Sequence, residues 1–321
     1  MIGIILPILF SSFAPCPRKL SAETINQLNL TIANLFIIQL ILLSSQLTID
    51  NPPFIYRMMV GSRILALAVL VVRALGDNTR AVSTSTPTAS TKNGTYFGLT
   101  LPTFHQDAFY GIPFAQPPLG DLRLRYPVPF NQSWTGQRNA TLRGFSCPGF
   151  DAPALQGFAD GLIMGEDCLT LDIVRPAGVQ AGDDLPIFLW LYGGGFKAGG
   201  SADPRYNASF MVRNSVEMNT PIIVVIPNYR TMSFGVMASS EILEAGVGNI
   251  ALFDQRMALQ WVAENIQGFG GDPARVTIAG ESAGGSSVGY HLVAFEGQND
   301  GLFSGAIMES GSLIGAPRES R

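Results

Sequence analysis

The chain has 321 residues, 47% hydrophobic and only 14% charged, with a formal net charge of −4. That length allows one large domain or two smaller ones. The charge balance is slight and negative and no basic stripe runs along the sequence, which excludes the usual electrostatic footprint of a nucleic-acid partner.

Residues 1–90 differ in character from the rest. Met58-Met-Val-Gly-Ser-Arg63 followed by the apolar run Ile64 to Val72 has the charged start and short apolar core of a secretory signal, with Ala74-Leu-Gly76 as a small-residue cleavage site. Arg73, at the end of the core, breaks that pattern. Ahead of it, residues 1–57 hold further apolar runs, Ile2 to Phe10 and Leu35 to Leu43. The second is interrupted by Gln39 and flanked by Asn34 and Ser44-Ser45, which makes a poor spanning helix. Two readings stay open. In the favoured one Met58 or Met59 is the true start, residues 58–76 are a signal-peptide-like segment and residues 1–57 are an extension upstream of it. In the other, the N-terminal region holds a membrane anchor. Residues 77–91, Ser/Thr-rich from Val82 to Thr91 with Pro87 inside, read as a flexible linker leading into a domain over 92–321.

Within that domain the elements follow one another regularly. Ile187-Phe-Leu-Trp-Leu191 reads as a strand, and Ile222 to Ile226 is a continuous β-branched run expected of a strand buried on both faces. Ile250 to Ile266 reads as a helix with Phe253, Met257 and Trp261 on one face, ended by Gly268, Gly270 and Gly271. Val276 to Ala279 is the next strand, Ser282 a turn, Ala283 to Val293 a helix and Ser304 to Met308 a strand. This alternation predicts βαβ units and a mostly parallel, doubly wound sheet with helices on its faces. Ligands of such sheets sit beyond the carboxyl ends of the strands. Met211, Met218, Met232 and Met237 show no helical spacing and read as packing residues.

Two glycine-rich stretches fall at those carboxyl ends. Gly280-Glu281-Ser282-Ala283-Gly284 spells G-x-S-x-G between a strand and a small-residue helix. A strained strand-to-helix turn holds a serine hydroxyl clear of the sheet, and the flanking glycines let the backbone bend without a Cβ clash. Tyr192-Gly193-Gly194-Gly195-Phe196 follows the earlier strand in the manner of loops that offer backbone N–H groups to an oxyanion. A phosphate cradle is the rival reading of these glycines, but no G-K-[ST] follows. Together the two stretches predict serine acyl transfer.

The run from Asn249 to Ile266, then Phe269-Gly270-Gly271-Asp272-Pro273, then the serine turn, resembles the type-B carboxylesterase/lipase (cholinesterase-like) family. So do Phe109 to Pro118, Glu166 to Ile173 and Leu302 to Ser312, in the family's order over residues 92–321. The resemblance implies an α/β-hydrolase fold, Ser282 as nucleophile, and an oxyanion hole from the N–H groups of Gly194, Gly195 and Ala283. The substrate implied is a small-molecule or lipid ester, with no metal and no cofactor. Family members continue through a second half that supplies the triad acid and histidine. This sequence matches the N-terminal half, as though truncated after the strand that follows the nucleophile helix.

A serine nucleophile needs a base. His291 lies nine residues beyond Ser282 on the same predicted helix, a rise of ~13 Å, and His105 precedes the sheet in a predicted hairpin, so neither is a credible base. Glu281 is expected to tune the local field rather than act as the triad acid. Asp254, Arg256 and Asp272 are read as structural charges, and the resemblance pairs Arg256 with Asp272 and Arg123 with Glu166. Cys16 falls in the extension, leaving Cys147 and Cys168, which a secretory leader and the family match make a disulfide. Asn93, Asn131, Asn139 and Asn207 head glycosylation sequons and fit a secreted, extracellular protein. Besides ester hydrolysis, two alternatives remain: a catalytically inactive, cholinesterase-like binding or adhesion protein, and a truncated product without function.

Overall fold

The computed structural model describes residues 86–150 and 161–313. The extension 1–57, the signal-like segment 58–76 and the linker up to residue 85 lie outside the described residues. The chain divides after residue 82, and every described residue belongs to the second unit, 83–321.

Within the described part of the expected linker, residues 86–91, a short strand forms. Thr88–Ser90 forms β1, antiparallel to β2 (Thr95–Phe97), and buries Ala89 in the core. Three residues with one inward side chain are too short a period-2 pattern to stand out from a Ser/Thr-rich stretch. A short strand over Gln137–Asn139 pairs parallel with β2 and completes a three-stranded sheet. It is β5 in chain order, after β3 (Leu99–Leu101) and β4 (Gln106–Pro113).

The main sheet has seven strands: β3, β4, β6 (Thr170–Pro176), β7 (Leu185–Leu191), β8 (Ile223–Pro227), β9 (Gly271–Glu281) and β10 (Gly305–Glu309). They lie side by side in the order β10-β9-β7-β8-β6-β4-β3. β10, β9, β7 and β8 are mutually parallel, as the βαβ alternation predicts. β6, β4 and β3 extend the sheet by antiparallel pairing, so it is mixed rather than parallel throughout. Within the antiparallel half β3 and β4 form a hairpin with His105 in its turn at φ 52°, whereas β4 and β6 are joined by a long segment that carries β5.

Five α-helices are described: α1 (Ala208–Glu217), α2 (Met232–Gly235), α3 (Ser240–Glu244), α4 (Ile250–Asn265) and α5 (Ala283–Val293). β7 alternates, and its two faces feed two layers. Ile187, Leu189 and Leu191 pack with Ala258, Leu259 and Val262 of α4 and Val288 of α5. Phe188 and Trp190 face the other way, toward Ala208 and Val212 of α1. The doubly wound, three-layer architecture is therefore present. On α4 the most buried positions are Ala251, Asp254, Gln255, Ala258, Leu259 and Val262, one stripe at i, i+3, i+4 spacing. Phe253 and Met257 sit beside that stripe, half-buried, so apolar character alone misplaced its centre by one position. Met211, Met218 and Met237 are exposed rather than packed into the core.

Of the two expected ion pairs, one forms and the other does not. Arg123 and Glu166 form a two-pronged bridge, Nε to Oε2 at 2.5 Å and Nη2 to Oε1 at 2.9 Å. Close by, Cys147 and Cys168 are disulfide-bonded, with Cα atoms 5.0 Å apart. The expected Arg256–Asp272 pair does not form. Arg256 bonds Asp300 and lies over the Phe295 ring at 4.4 Å. Asp272 instead takes Arg275 at 2.8 Å and the Ala274 N–H at 2.9 Å, both within its own turn. A carboxylate that can fold onto neighbours three residues away has no need of a helix across the sheet.

Candidate functional site

The Leu191↔Gly280 register of β7 and β9 brings their carboxyl ends, and hence the two glycine-rich stretches, side by side. Ser282 joins β9 to α5 at φ 53° and ψ −117°, outside the regions a residue with a Cβ prefers. Two backbone bonds hold it there. Its N–H donates to Glu309 O of β10 at 2.8 Å, and its carbonyl accepts from Ser286 N–H at 2.9 Å.

Glycines allow the surrounding close approach. A Cβ on Gly284 would stand 2.0 Å from Leu191 O, so only a bare backbone lets α5 rest on the end of β7. A Cβ on Gly193 would meet the Ser282 Cβ at 3.1 Å and a Glu281 carboxylate oxygen at 2.6 Å. The loop after β7 therefore lies directly against the serine turn. Gly194, Gly195 and Phe196 take φ of 107°, 63° and 57° in succession, a left-handed run that two of the three adopt without steric cost. Lys197 and Ala198 donate to Gly194 O at 3.0 and 3.3 Å, closing the loop. Among the described residues no acceptor takes the Gly194 or Gly195 amides, and Ala283 opens α5, where first-turn N–H groups have no partner within the helix.

Several residues that sequence reasoning passed over support this arrangement. Tyr192 and Tyr229, both fully buried, stack at 4.2 Å beneath the loop. The Tyr229 hydroxyl donates to Tyr192 O at 2.5 Å, and the Tyr192 hydroxyl donates to Tyr229 O at 2.9 Å. Burial pushes both phenols well above the usual range, so both stay neutral. Behind α5 a buried polar chain runs from His291 Nε2 to Gln255 Oε1 (3.0 Å), from Gln255 Nε2 to Ser287 Oγ (3.0 Å) and from Ser287 Oγ to Ala283 O (2.9 Å). The only sequence signal for these groups was polar or aromatic residues just after predicted strands or inside a small-residue helix.

His291 is thus committed to Gln255, one helix-length behind the serine, and burial with the nearby Arg256 charge pushes its pKa down to about 4. His105 is exposed at the opposite end of the sheet. β4 starts opposite Pro176, the far end of β6, while Leu171 near the start of β6 pairs with Pro227 at the carboxyl end of β8. The length of β6 alone separates His105 from the site by about 20 Å. Glu281 faces the tyrosines and Gly193 rather than any histidine.

A cavity of about 560 Å³ lies elsewhere, lined by Gly111, Phe130, Arg138, Leu142 and Phe145 among others, and borders neither Ser282 nor the glycine loop. Of the sequon asparagines, Asn131, Asn139 and Asn207 are exposed and Asn93 is 8% exposed. No helix among the described residues is long and apolar enough to cross a membrane.

Residues 85–317 match the Carboxylesterase family. The sequence is 44% identical over 249 residues to Lipase 4 of Diutina rugosa, covering 71% of this chain and 44% of that protein. It is 44% identical over 230 residues to Secreted lipase 1 of Botryotinia fuckeliana (strain B05.10), covering 65% of this chain and 40% of the relative. A solved structure titled thermophylic PNB esterase superposes with a TM-score of 0.62 at 37% identity, covering 71% of this chain and 45% of that one. The chain spans less than half the length of each.

Proposed function

The chain belongs to the carboxylesterase family, and on that premise we propose that it carries the nucleophile and oxyanion hole of a carboxylic ester hydrolase working through a serine acyl-enzyme. One observation carries the reading: the glycine loop after β7 packs against a positive-φ serine at the start of a helix. In this reaction Ser282 Oγ attacks the ester carbonyl, and negative charge develops on its oxygen. The N–H groups of Gly194, Gly195 and Ala283 stabilise that charge, helped by the positive end of α5. The alcohol leaves with the serine proton, and water then cleaves the acyl-enzyme.

Neither histidine of the sequence reaches Ser282, so full turnover requires a base that this sequence does not supply. The purified chain should hydrolyse p-nitrophenyl acetate only at the residual level that an oxyanion hole without its base allows, roughly 10³–10⁴-fold over water. That residual hydrolysis should persist in Ser282→Ala, since the hole and not the nucleophile supplies it, whereas a fluorophosphonate probe should label Ser282 slowly in the wild-type chain and not at all in Ser282→Ala. Absence of any Ser282-dependent reaction would refute the proposal, and full turnover by the chain alone would show that the histidines are misjudged. A second reading is a binding protein that keeps the fold without the reaction. The free loop amides and intact serine weigh against it.

The substrate class is a small-molecule or lipid carboxylic ester, as the lipase names of the relatives support. We place the protein outside the cell, on the disulfide, the exposed sequons at Asn131, Asn139 and Asn207, and the secreted relative.

A further inference from the structure

The peptide unit joining Tyr192 to Gly193 is the last one before the glycine loop. Being planar, it transmits its orientation directly to Gly194 and Gly195. Its carbonyl end is held by one phenol, and a second phenol faces its other end. The Tyr229 hydroxyl donates to Tyr192 O at 2.5 Å, and the Tyr206 hydroxyl faces the Gly193 backbone. Tyr192 is 0% exposed, so water does not replace a lost donor at its carbonyl. The following loop then takes three consecutive positive φ values, at Gly194, Gly195 and Phe196. Gly194 and Gly195 have broad conformational freedom, so without an anchor at its root the loop would sample many orientations.

We infer that Tyr229 is the positioning residue of the oxyanion loop: its hydroxyl, clamped on Tyr192 O, fixes the plane from which the Gly194 and Gly195 N–H groups project. Tyr229 touches no reacting atom in this scheme; it acts through the backbone. It stands at the end of β8, the strand beside β7, so neighbouring strands of one sheet supply both the loop and its clamp. The pair is reciprocal but the two hydroxyls do different work. The Tyr192 hydroxyl bonds the Tyr229 backbone, accepting from its N–H at 3.0 Å and donating to its carbonyl at 2.9 Å, so it secures the end of β8 rather than the loop.

That asymmetry supplies the test. Tyr229→Phe and Tyr192→Phe each remove one buried hydroxyl and keep the stacked rings, so they share the general cost of a lost hydroxyl. Hydrogen exchange of the Lys197 and Ala198 amides, which donate to Gly194 O, reads the loop in the intact chain whether or not it turns over ester. Tyr229→Phe should speed their exchange by about tenfold or more, the expected effect of one lost buried bond. Tyr192→Phe should leave them unchanged and speed exchange of the Tyr229 amide instead. Equal exchange in Tyr229→Phe and wild type, or equal loosening of the loop by both variants, overturns the inference. Its catalytic consequence rests on the proposed function: fluorophosphonate labelling of Ser282 should slow in Tyr229→Phe and much less in Tyr192→Phe. If wild type is not labelled at all, the ester-hydrolase reading fails while the exchange data still decide the role of Tyr229.

Discussion

Arg230 and Asp254 meet as a two-pronged ion pair with side chains 3% and 0% exposed, Nε to Oδ2 at 2.8 Å and Nη2 to Oδ1 at 2.7 Å. The Arg230 backbone N–H adds a third bond to Oδ2 at 3.0 Å. The pair ties the segment after β8 to α4, next to the tyrosines under the glycine loop. Burial raises the Asp254 carboxyl above its ordinary range even against the neighbouring guanidinium.

Removing one partner leaves the other charged and buried. Asp254→Ala should therefore cost about 3–5 kcal/mol in the denaturant midpoint. Arg123→Ala, which breaks the solvent-exposed bridge to Glu166, should barely move the midpoint. Similar losses in the two variants would contradict the ranking by burial.

Stability should fall as pH drops from about 6.5 to about 4, in part through His291. Its pKa in the fold, about 4, lies below its ordinary value of 6.5, so in that window the unfolded chain binds a proton that the folded chain refuses. Below about 4 both states carry the proton and this contribution levels off. The full shift corresponds to about 3 kcal/mol. His291→Gln should flatten that part of a melting-temperature profile against pH, and an unchanged profile would show that His291 is not the group responsible.

Reducing the Cys147–Cys168 bond frees a loop with a sequence separation of 21. On the chain-entropy account the loss is about 3 kcal/mol. Thermal melts with and without reductant, compared with a Cys147→Ser/Cys168→Ser double variant, measure it; a shift present in wild type and absent in the double variant is the expected outcome.

Gly284→Ala sets helix propensity against packing. In a free helix the change would be favourable by about 1 kcal/mol. Here the new methyl would stand 2.0 Å from Leu191 O, so the variant should be less stable by about 1–3 kcal/mol and should label more slowly at Ser282. A stabilised Gly284→Ala would mean that α5 does not press on β7.

The parallel half of the sheet was legible because its strands are apolar runs and its turns are glycines. Ala283–Val293 was bounded by the same residues in sequence and structure. β1 and the antiparallel pairings were not, since three-residue strands leave too little pattern and strand order is a property of the whole sheet. The Arg256 partner was misread because it depends on where the segment after α5 comes to rest, which no spacing encodes. Tyr192 and Tyr229 stand 37 residues apart, and nothing local marks either as the other's partner. The serine turn and its loop were the clearest features because tight backbone packing leaves a record in glycine.

β7 lies between β8 and β9, both of which follow it in the chain. During synthesis from the N-terminus, β7 is made with both edges bare, gains β8 on one side, and keeps the other edge open until residue 281 has emerged. A ribosome-bound intermediate that ends anywhere in α4 therefore exposes an unpaired, apolar strand at what will be the middle of the protein. Chaperone demand should peak there, before Ser282 is even translated.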